Sequence, residues 1–377
     1  MICNYCVMDE TASNILFDEN GVCNFCRDFN FNTESVYFDD DSSKNAKFEQ
    51  LISKIKITGR GKKYDCIIGV SGGVDSSWVL VEAIKQGLRP LAVHMDNGWN
   101  SELAQNNIAN LITTLGVDLY TYVIDWEEYR SLMQSFFESD VVDVELLYDN
   151  AMLKVNYMLA NKYNVKYILS GMNQSTEGIR MPENWNWFKY DKRQIKSIGR
   201  KFNNVKTNSF PSIGTFDYCY YRFIKKIEWL PFLDFIKFEK EEALKILEKE
   251  FGFKRYPYKH YESVFTRFYQ GYLLPNKFKI DKRKLHLSSL IVTNQMTRSD
   301  AINTLSNIPY PSPVDLETDI EYFLKKMNWT NMQLNEYLNR SPKAHTLYKS
   351  EFKLWKLIFD NSNRGVLYNK LKRAFKK

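Results

Sequence analysis

The chain has 377 residues, 44% hydrophobic and 26% charged, with a net charge of +7. That length buries a substantial core and suits two or three domains, and the ordinary apolar-to-charged balance excludes a disordered or fibrous polymer. The modest positive charge fits a polyanionic ligand such as ATP, a nucleotide-sugar or RNA, and no apolar run approaches the length of a membrane span.

The chain opens on a cysteine pair with no apolar signal segment before it, which leads us to expect a cytoplasmic protein. In a reducing compartment, clustered cysteines favour metal ligation over disulfides. Four of the six form Cys3-x-x-Cys6 and Cys23-x-x-Cys26, and the turn signal Asp18-Glu19-Asn20-Gly21 lies between the pairs. Tetrahedral thiolate ligation of a structural Zn²⁺ is the expected result, with iron–sulfur binding as the chemical alternative. This predicts a zinc-binding module over residues 1–35. Cys66 reads as a core residue and Cys219 as packing or cleft lining.

A helix is predicted over 44–57, and an α/β rhythm then begins. Strands are predicted over 64–70, 89–94, 119–124 and 166–170, with helices over 74–86, 101–115 and 144–163. Short apolar strands alternating with helices imply a mostly parallel sheet covered on both faces. Ligands of such sheets lie beyond the C-terminal strand ends. There the chain places Ser71-Gly72-Gly73-Val74-Asp75-Ser76-Ser77, then His94-Met95-Asp96-Asn97-Gly98, then the run from Ser170 to Gly178. The paired glycines allow backbone amides to converge on phosphate at a helix start, and the serines add hydroxyl donors. Asp75 inside such a loop would repel a triphosphate unless Mg²⁺ bridged them. His94, Asp96, Asn97, Gly171, Asn173 and Glu177 are candidates for holding nucleotide or substrate, with turn formation as the competing role of Asp96 and Asn97.

The Ser71–Ser77 loop has no lysine after its glycines, and it resembles the SGGxDS signature of the ATP pyrophosphatases, which release pyrophosphate and transfer AMP to an oxygen. The resemblance then narrows to the N-acetyl sugar amidotransferases. It rests on both cysteine pairs, the phosphate loop, His94 to Trp99, Val142 to Leu147, Leu169 to Gly178, Pro211 to Thr215, Tyr256 to Ser263, Ile280 to Lys284 and Gln295 to Arg298, covering roughly residues 1 to 310. It implies an adenine nucleotide alpha hydrolase-like α/β domain over 60–235. It also implies conversion of an acetamido group on an activated sugar to an acetamidino group, with ATP and Mg²⁺. The nearest members of that family act on a UDP-linked diacetamido uronic acid in O-antigen synthesis.

Residues 236–377 read as a mostly helical substrate or partner region. Helices are expected over 239–251, 315–327, 330–338 and 349–359. Lys259, Arg267 and Lys282 are candidate phosphate contacts, and His260 is a candidate proton relay. No glutaminase signature is present, so ammonia is expected from an external glutaminase with a cyclase-like channelling subunit, as the resemblance implies. Nucleic acid and membrane are not expected partners. Two rival readings are a tRNA sulfurtransferase using Cys219 and a non-catalytic ATP-binding interaction protein.

Overall fold

A computed structural model describes residues 1–31, 36–256 and 261–359. Five apolar runs form β1 (Cys66–Gly69), β2 (Pro90–Asp96), β3 (Leu119–Val123), β4 (Tyr167–Ser170) and β5 (Glu228–Pro231). All pair in parallel, in the order β3-β2-β1-β4-β5. The chain runs outward from β1 to β3, then returns to lay β4 against the other side of β1. The crevice beyond the C-terminal ends of β1 and β4 is therefore the topological switch point of the sheet.

The helices before and between the strands are α1 (Asn24–Phe31), α2 (Asp41–Gly59), α3 (Val74–Lys85), α4 (Glu102–Leu115), α5 (Trp126–Glu138), α6 (Leu146–Lys162), the single turn α7 (Gln174–Glu177), α8 (Lys192–Asn203) and α9 (Thr215–Cys219). After β5 come α10 (Lys240–Phe251), α11 (Val264–Phe268), α12 (Arg283–Val292), α13 (Arg298–Ser306), α14 (Pro313–Met327), α15 (Asn331–Asn339) and α16 (Phe352–Phe359). Strand side chains alternate between two cores, as a pleat requires. Ile67, Leu91, Val93 and Ile168 pack with α5 and α6. Cys66, Ile68, Ala92 and Leu169 pack with α2, α3 and α10 on the other face.

The sequence patterns for β1 to β4, α3, α4 and α6 appear where they are expected, within a few residues. Strand β5 and helices α1, α5, α7, α8, α9, α11, α12 and α13 are additions. In α5, Tyr129, Leu132, Met133, Phe136 and Phe137 repeat at helical spacing and are buried, and Asp125 caps the helix by accepting from the Glu128 amide. Helices α9 and α11 continue as π-helical segments, Tyr220–Ile224 and Tyr269–Phe278, the second around Pro275. The widened turns move their aromatic side chains off an α-helical stripe.

The C-terminal helices interlock with the segment after α5 and the loop after β2. Buried Lys277 reaches Asp140 at 3.1 Å and the carbonyls of Tyr337 and Arg340 at 2.6 and 2.8 Å. Phe323 of α14 stacks on Trp99, with ring centroids 6.2 Å apart, and so seals the loop after β2. Among the described residues, no helix is long and apolar enough to cross a membrane.

Candidate active site

The loop between β1 and α3 is built for close approach. Gly72 has φ +85°, and a Cβ there would stand 2.8 Å from the Ala104 carbonyl oxygen, so only glycine fits both the conformation and the space. Ser71 Oγ accepts from the Gly73 amide at 3.2 Å. Ser76 Oγ accepts from the Ser71 amide and donates to the Gly73 carbonyl, each at 3.2 Å. These bonds hold the loop curled at the start of α3, where the helix dipole and the first-turn amides favour an anion.

Two cavities meet at this loop. The first lobe, of about 410 Å³, is lined by Ser71, Gly73, Asp75, Ser76, Gly171 and Glu177, together with Lys240, Arg255 and Tyr256. The second lobe, of about 510 Å³, takes its wall from Asn97, Glu145, Tyr148, Asp149, Lys189 and Lys282, among others. Ser71, Glu177 and Glu262 line both, so they form the neck between the lobes.

Several candidates have positions different from those their sequence suggested. Ser77 is buried in α3 and lines neither lobe. His94 is also buried and acts as a tether. Its Nδ1 faces the Val70 carbonyl at 3.0 Å and therefore carries the proton, while Nε2 accepts from Asn100 Nδ2 at 3.0 Å. The same Asn100 amide group donates to Asp96 at 3.2 Å, which fixes its orientation. Asp96 and Asn97 form side-chain-to-backbone turns, accepting from the amides of Gly98 and Trp99 at 2.8 and 3.1 Å. The turn role thus holds for both, although Asn97 also lines the second lobe. Asn173 caps α7 through the Thr176 amide at 2.8 Å and is buried.

Arg267 is removed from the neck altogether. It makes a two-pronged pair with Asp319 of α14, both contacts at 2.5 Å, and lines neither lobe. Gly171 is needed for packing as much as for ligand access. A Cβ there would sit 2.9 Å from the carbonyl carbon and Cβ of Asp75 and from the Ser76 nitrogen. Lys259 and His260 lie outside the described residues.

The second lobe holds residues that sequence spacing did not bring together. Lys189 bridges Asp143 and Asp149 at 2.6 and 2.8 Å. Lys282, one of the predicted cations, pairs with Glu145 at 3.0 Å, and Gln270 donates to the same carboxylate at 2.9 Å. Asp143 is fully buried with φ +69°, and the Tyr269 hydroxyl accepts from the amides of Asp143 and Val144 at 2.7 and 3.3 Å. Burial opposes its charge, but Lys189, Lys282 and the Trp187 amide outweigh that and hold its carboxyl below the usual range. Burial lifts the Tyr148 phenol well above its ordinary value, and the nearby Asp149, Glu262 and Asp96 add to the effect. Tyr148 therefore stays protonated at neutral pH and presents a donor.

The four N-terminal cysteines converge. Their sulfurs all lie within 4.8 Å of one another and are buried. Cys6 and Cys23 sulfurs are 3.7 Å apart, and those of Cys23 and Cys26 are 3.6 Å apart. A tetrahedron with Zn–S bonds near 2.3 Å has edges of about 3.8 Å, so the cluster fits a zinc site. Amides of Cys6 and Cys23 donate to Cys3 Sγ at 3.4 and 3.2 Å, which supports thiolate charge. The other two cysteines are apart from the chemistry. Cys66 is buried in β1, and Cys219 lines neither lobe, its thiol pushed up to about 11 by burial.

Comparison with known proteins adds one family match, confined to the C-terminal part of the chain. None of the curated proteins compared matches the chain. An NMN synthetase from Francisella tularensis is 19% identical over 58% of this chain and 98% of its own, with a TM-score of 0.28. An NH3-dependent NAD synthetase from Campylobacter jejuni is 13% identical over 55% and 93%, with a TM-score of 0.29. These global similarities are too low to carry functional weight. Residues 262–360 match the family described as LPS biosynthesis protein WbpG-like, C-terminal domain. The segment includes Glu262 of the neck and Gln270 and Lys282 of the second lobe. The chain thus carries, beside a parallel sheet and a four-cysteine cluster, a C-terminal segment similar to the C-terminal domain of the WbpG-like lipopolysaccharide biosynthesis proteins.

Proposed function

We propose that the chain is an ATP-dependent amidotransferase that converts an acetamido group of a nucleotide-activated sugar to an acetamidino group. The sugar assigned by family resemblance is a UDP-linked 2,3-diacetamido uronic acid. The observation that carries the reading is the shared neck of Ser71, Glu177 and Glu262. A triphosphate in the first lobe, hence the phosphate lobe, and an acceptor in the second would place the α-phosphate and an acetamido oxygen against each other there.

In this reaction the acetamido oxygen attacks the α-phosphorus of ATP, and the bond to the bridging oxygen breaks to release pyrophosphate. Ammonia then adds to the imidate carbon, and the carbon–oxygen bond breaks with AMP leaving. The amide oxygen departs in AMP, so no water enters the balance. Loop amides with Ser71 and Ser76 would hold phosphate, and Asp75 would hold Mg²⁺, which supplies charge neutralisation on the pyrophosphate. Tyr148, Lys189 and Lys282 are assigned to orienting the sugar. Ammonia is assigned to external glutaminase and cyclase-like subunits, and the cytoplasm is the assigned compartment.

The test is incubation with ATP, Mg²⁺, ammonium and the nucleotide-sugar carrying ¹⁸O in its acetamido carbonyl. The expected result is a product about three mass units lighter than the labelled substrate, because ¹⁸O leaves and NH enters, with ¹⁸O in AMP. AMP without label, or no ATP cleavage with any acetamido sugar, would defeat the proposal. The sulfurtransferase reading through Cys219 loses support, because Cys219 lines neither lobe.

A further inference from the structure

The four-cysteine centre is mechanically joined to the second lobe. The Val7 amide, just beyond the Cys3–Cys6 knuckle, donates to Ser288 Oγ at 3.3 Å. The next residue of α12, Ser289, accepts from the Ile179 amide at 3.1 Å. Both serines are fully buried. Adjacent helix positions diverge by about 100°, so one helix turns one hydroxyl to the knuckle and the other to the loop after α7.

Other bonds reinforce the same connection. Arg298 donates to the carbonyls of Cys3 and Cys6 at 2.9 and 3.0 Å. Asp9 pairs with Lys284 of α12 at 2.5 Å. The Thr11 carbonyl accepts from Trp185 Nε1 at 3.0 Å and from Asn184 Nδ2 at 2.9 Å. The loop reached in this way supplies Gly178, Ile179, Arg180 and Met181 to the second lobe, and the start of α12 supplies Lys282 and His286. Of all these residues, none lines the phosphate lobe.

We infer that the four-cysteine metal centre positions the acceptor lobe through Ser288 and Ser289, and touches the phosphate lobe through the shared neck at Glu177 rather than through the β1–α3 loop. The name of the lobe rests on the proposed function, but the coupling does not. Ser288 and Ser289 are positioning residues: they touch the knuckle and the loop, and neither lines a lobe.

Hydrogen exchange on the full chain, read with metal content, tests this. Stripping zinc with EDTA should accelerate amide exchange at least tenfold across 179–186 and 284–290, while β1, β2 and α3 keep their protection. Equal loss of protection throughout would show a general folding staple and overturn the inference, as would unchanged exchange at 179–186. Because stripping acts broadly, Ser289→Ala supplies a second measurement in the zinc-loaded protein. It should raise exchange at Ile179 about tenfold with zinc content intact, as expected for losing one buried hydrogen bond. Ser288→Ala should instead speed zinc release to EDTA several-fold. An unchanged Ile179 amide in the first variant, or unchanged zinc release in the second, would overturn the coupling. If the wild type fails to turn over any sugar, the proposed function fails, while these exchange and metal measurements stand by themselves.

Discussion

Replacing Lys189 by methionine tests the electrostatics of the second lobe most directly. The change removes the cation 2.6 Å from Asp143 and 2.8 Å from Asp149, and leaves Asp143 fully buried. Breaking a buried pair by deleting one partner costs about 3–5 kcal/mol. Lys282 still acts on Asp143 and Lys189 itself is 24% exposed, so we expect a loss of roughly 2–4 kcal/mol. Asp143→Asn alone leaves Lys189 with Asp149 and should cost only about 1–2 kcal/mol. The double variant should recover about 1–2 kcal/mol relative to the sum of the singles, since no unpaired buried charge remains. Urea unfolding of all four proteins gives the coupling. Its sign with pH follows from the lowered carboxyl of Asp143. In the native chain that contribution is complete above the unfolded value near 3.8 and is lost as pH falls through the lower folded value. The deficit of Lys189→Met should therefore shrink on acidification, because protonating Asp143 relieves the variant. A loss below about 1 kcal/mol, or additive single effects, would refute the reasoning.

Gly171→Ala should cost about 1–3 kcal/mol by forcing a Cβ to 2.9 Å from Asp75 and Ser76. It should also slow pyrophosphate release, and an unchanged melting temperature would show that the loops part easily. Arg267→Lys should lower stability by about 1–3 kcal/mol through loss of the two-pronged Asp319 contact, without raising the Michaelis constant for ATP; a selective rise in that constant would return Arg267 to the nucleotide. Asp75→Asn should abolish AMP release while zinc stoichiometry stays at one per chain, read by metal analysis and AMP chromatography. If zinc disappears as well, the substitution has disturbed the fold and the assignment of Mg²⁺ to Asp75 loses its support.

The phosphate loop was legible because its chemistry is local. Strand, glycine pair, acid and helix follow within a dozen residues, and Gly72 shows its purpose in a positive φ. The cysteine cluster was equally legible, since each pair spans one short knuckle. The second lobe was not. Glu145, Lys189, Gln270 and Lys282 come from separate segments, and only folding brings them to one wall. Arg267 illustrates the opposite failure, a cation near candidate site residues whose partner Asp319 lies 52 positions later. His94 and Asn173 had polar side chains at the right strand ends, but backbone groups there required those same side chains. The apolar stripe of α5 was present at helical spacing, whereas the π-helical segments shift their register and give no such period.

The Arg298 clamp also has a bearing on biosynthesis. It joins groups 295 positions apart in the chain, at Cys3, and 292 apart at Cys6. At about 5–20 residues per second, ribosomes make Cys3 roughly 15–60 seconds before Arg298. During that interval the knuckle's carbonyls lack the guanidinium that holds them in the folded chain. A chain stopped short of α13 lacks this clamp, so the cysteine segment gains its last side-chain support only when the C-terminal helices have been made.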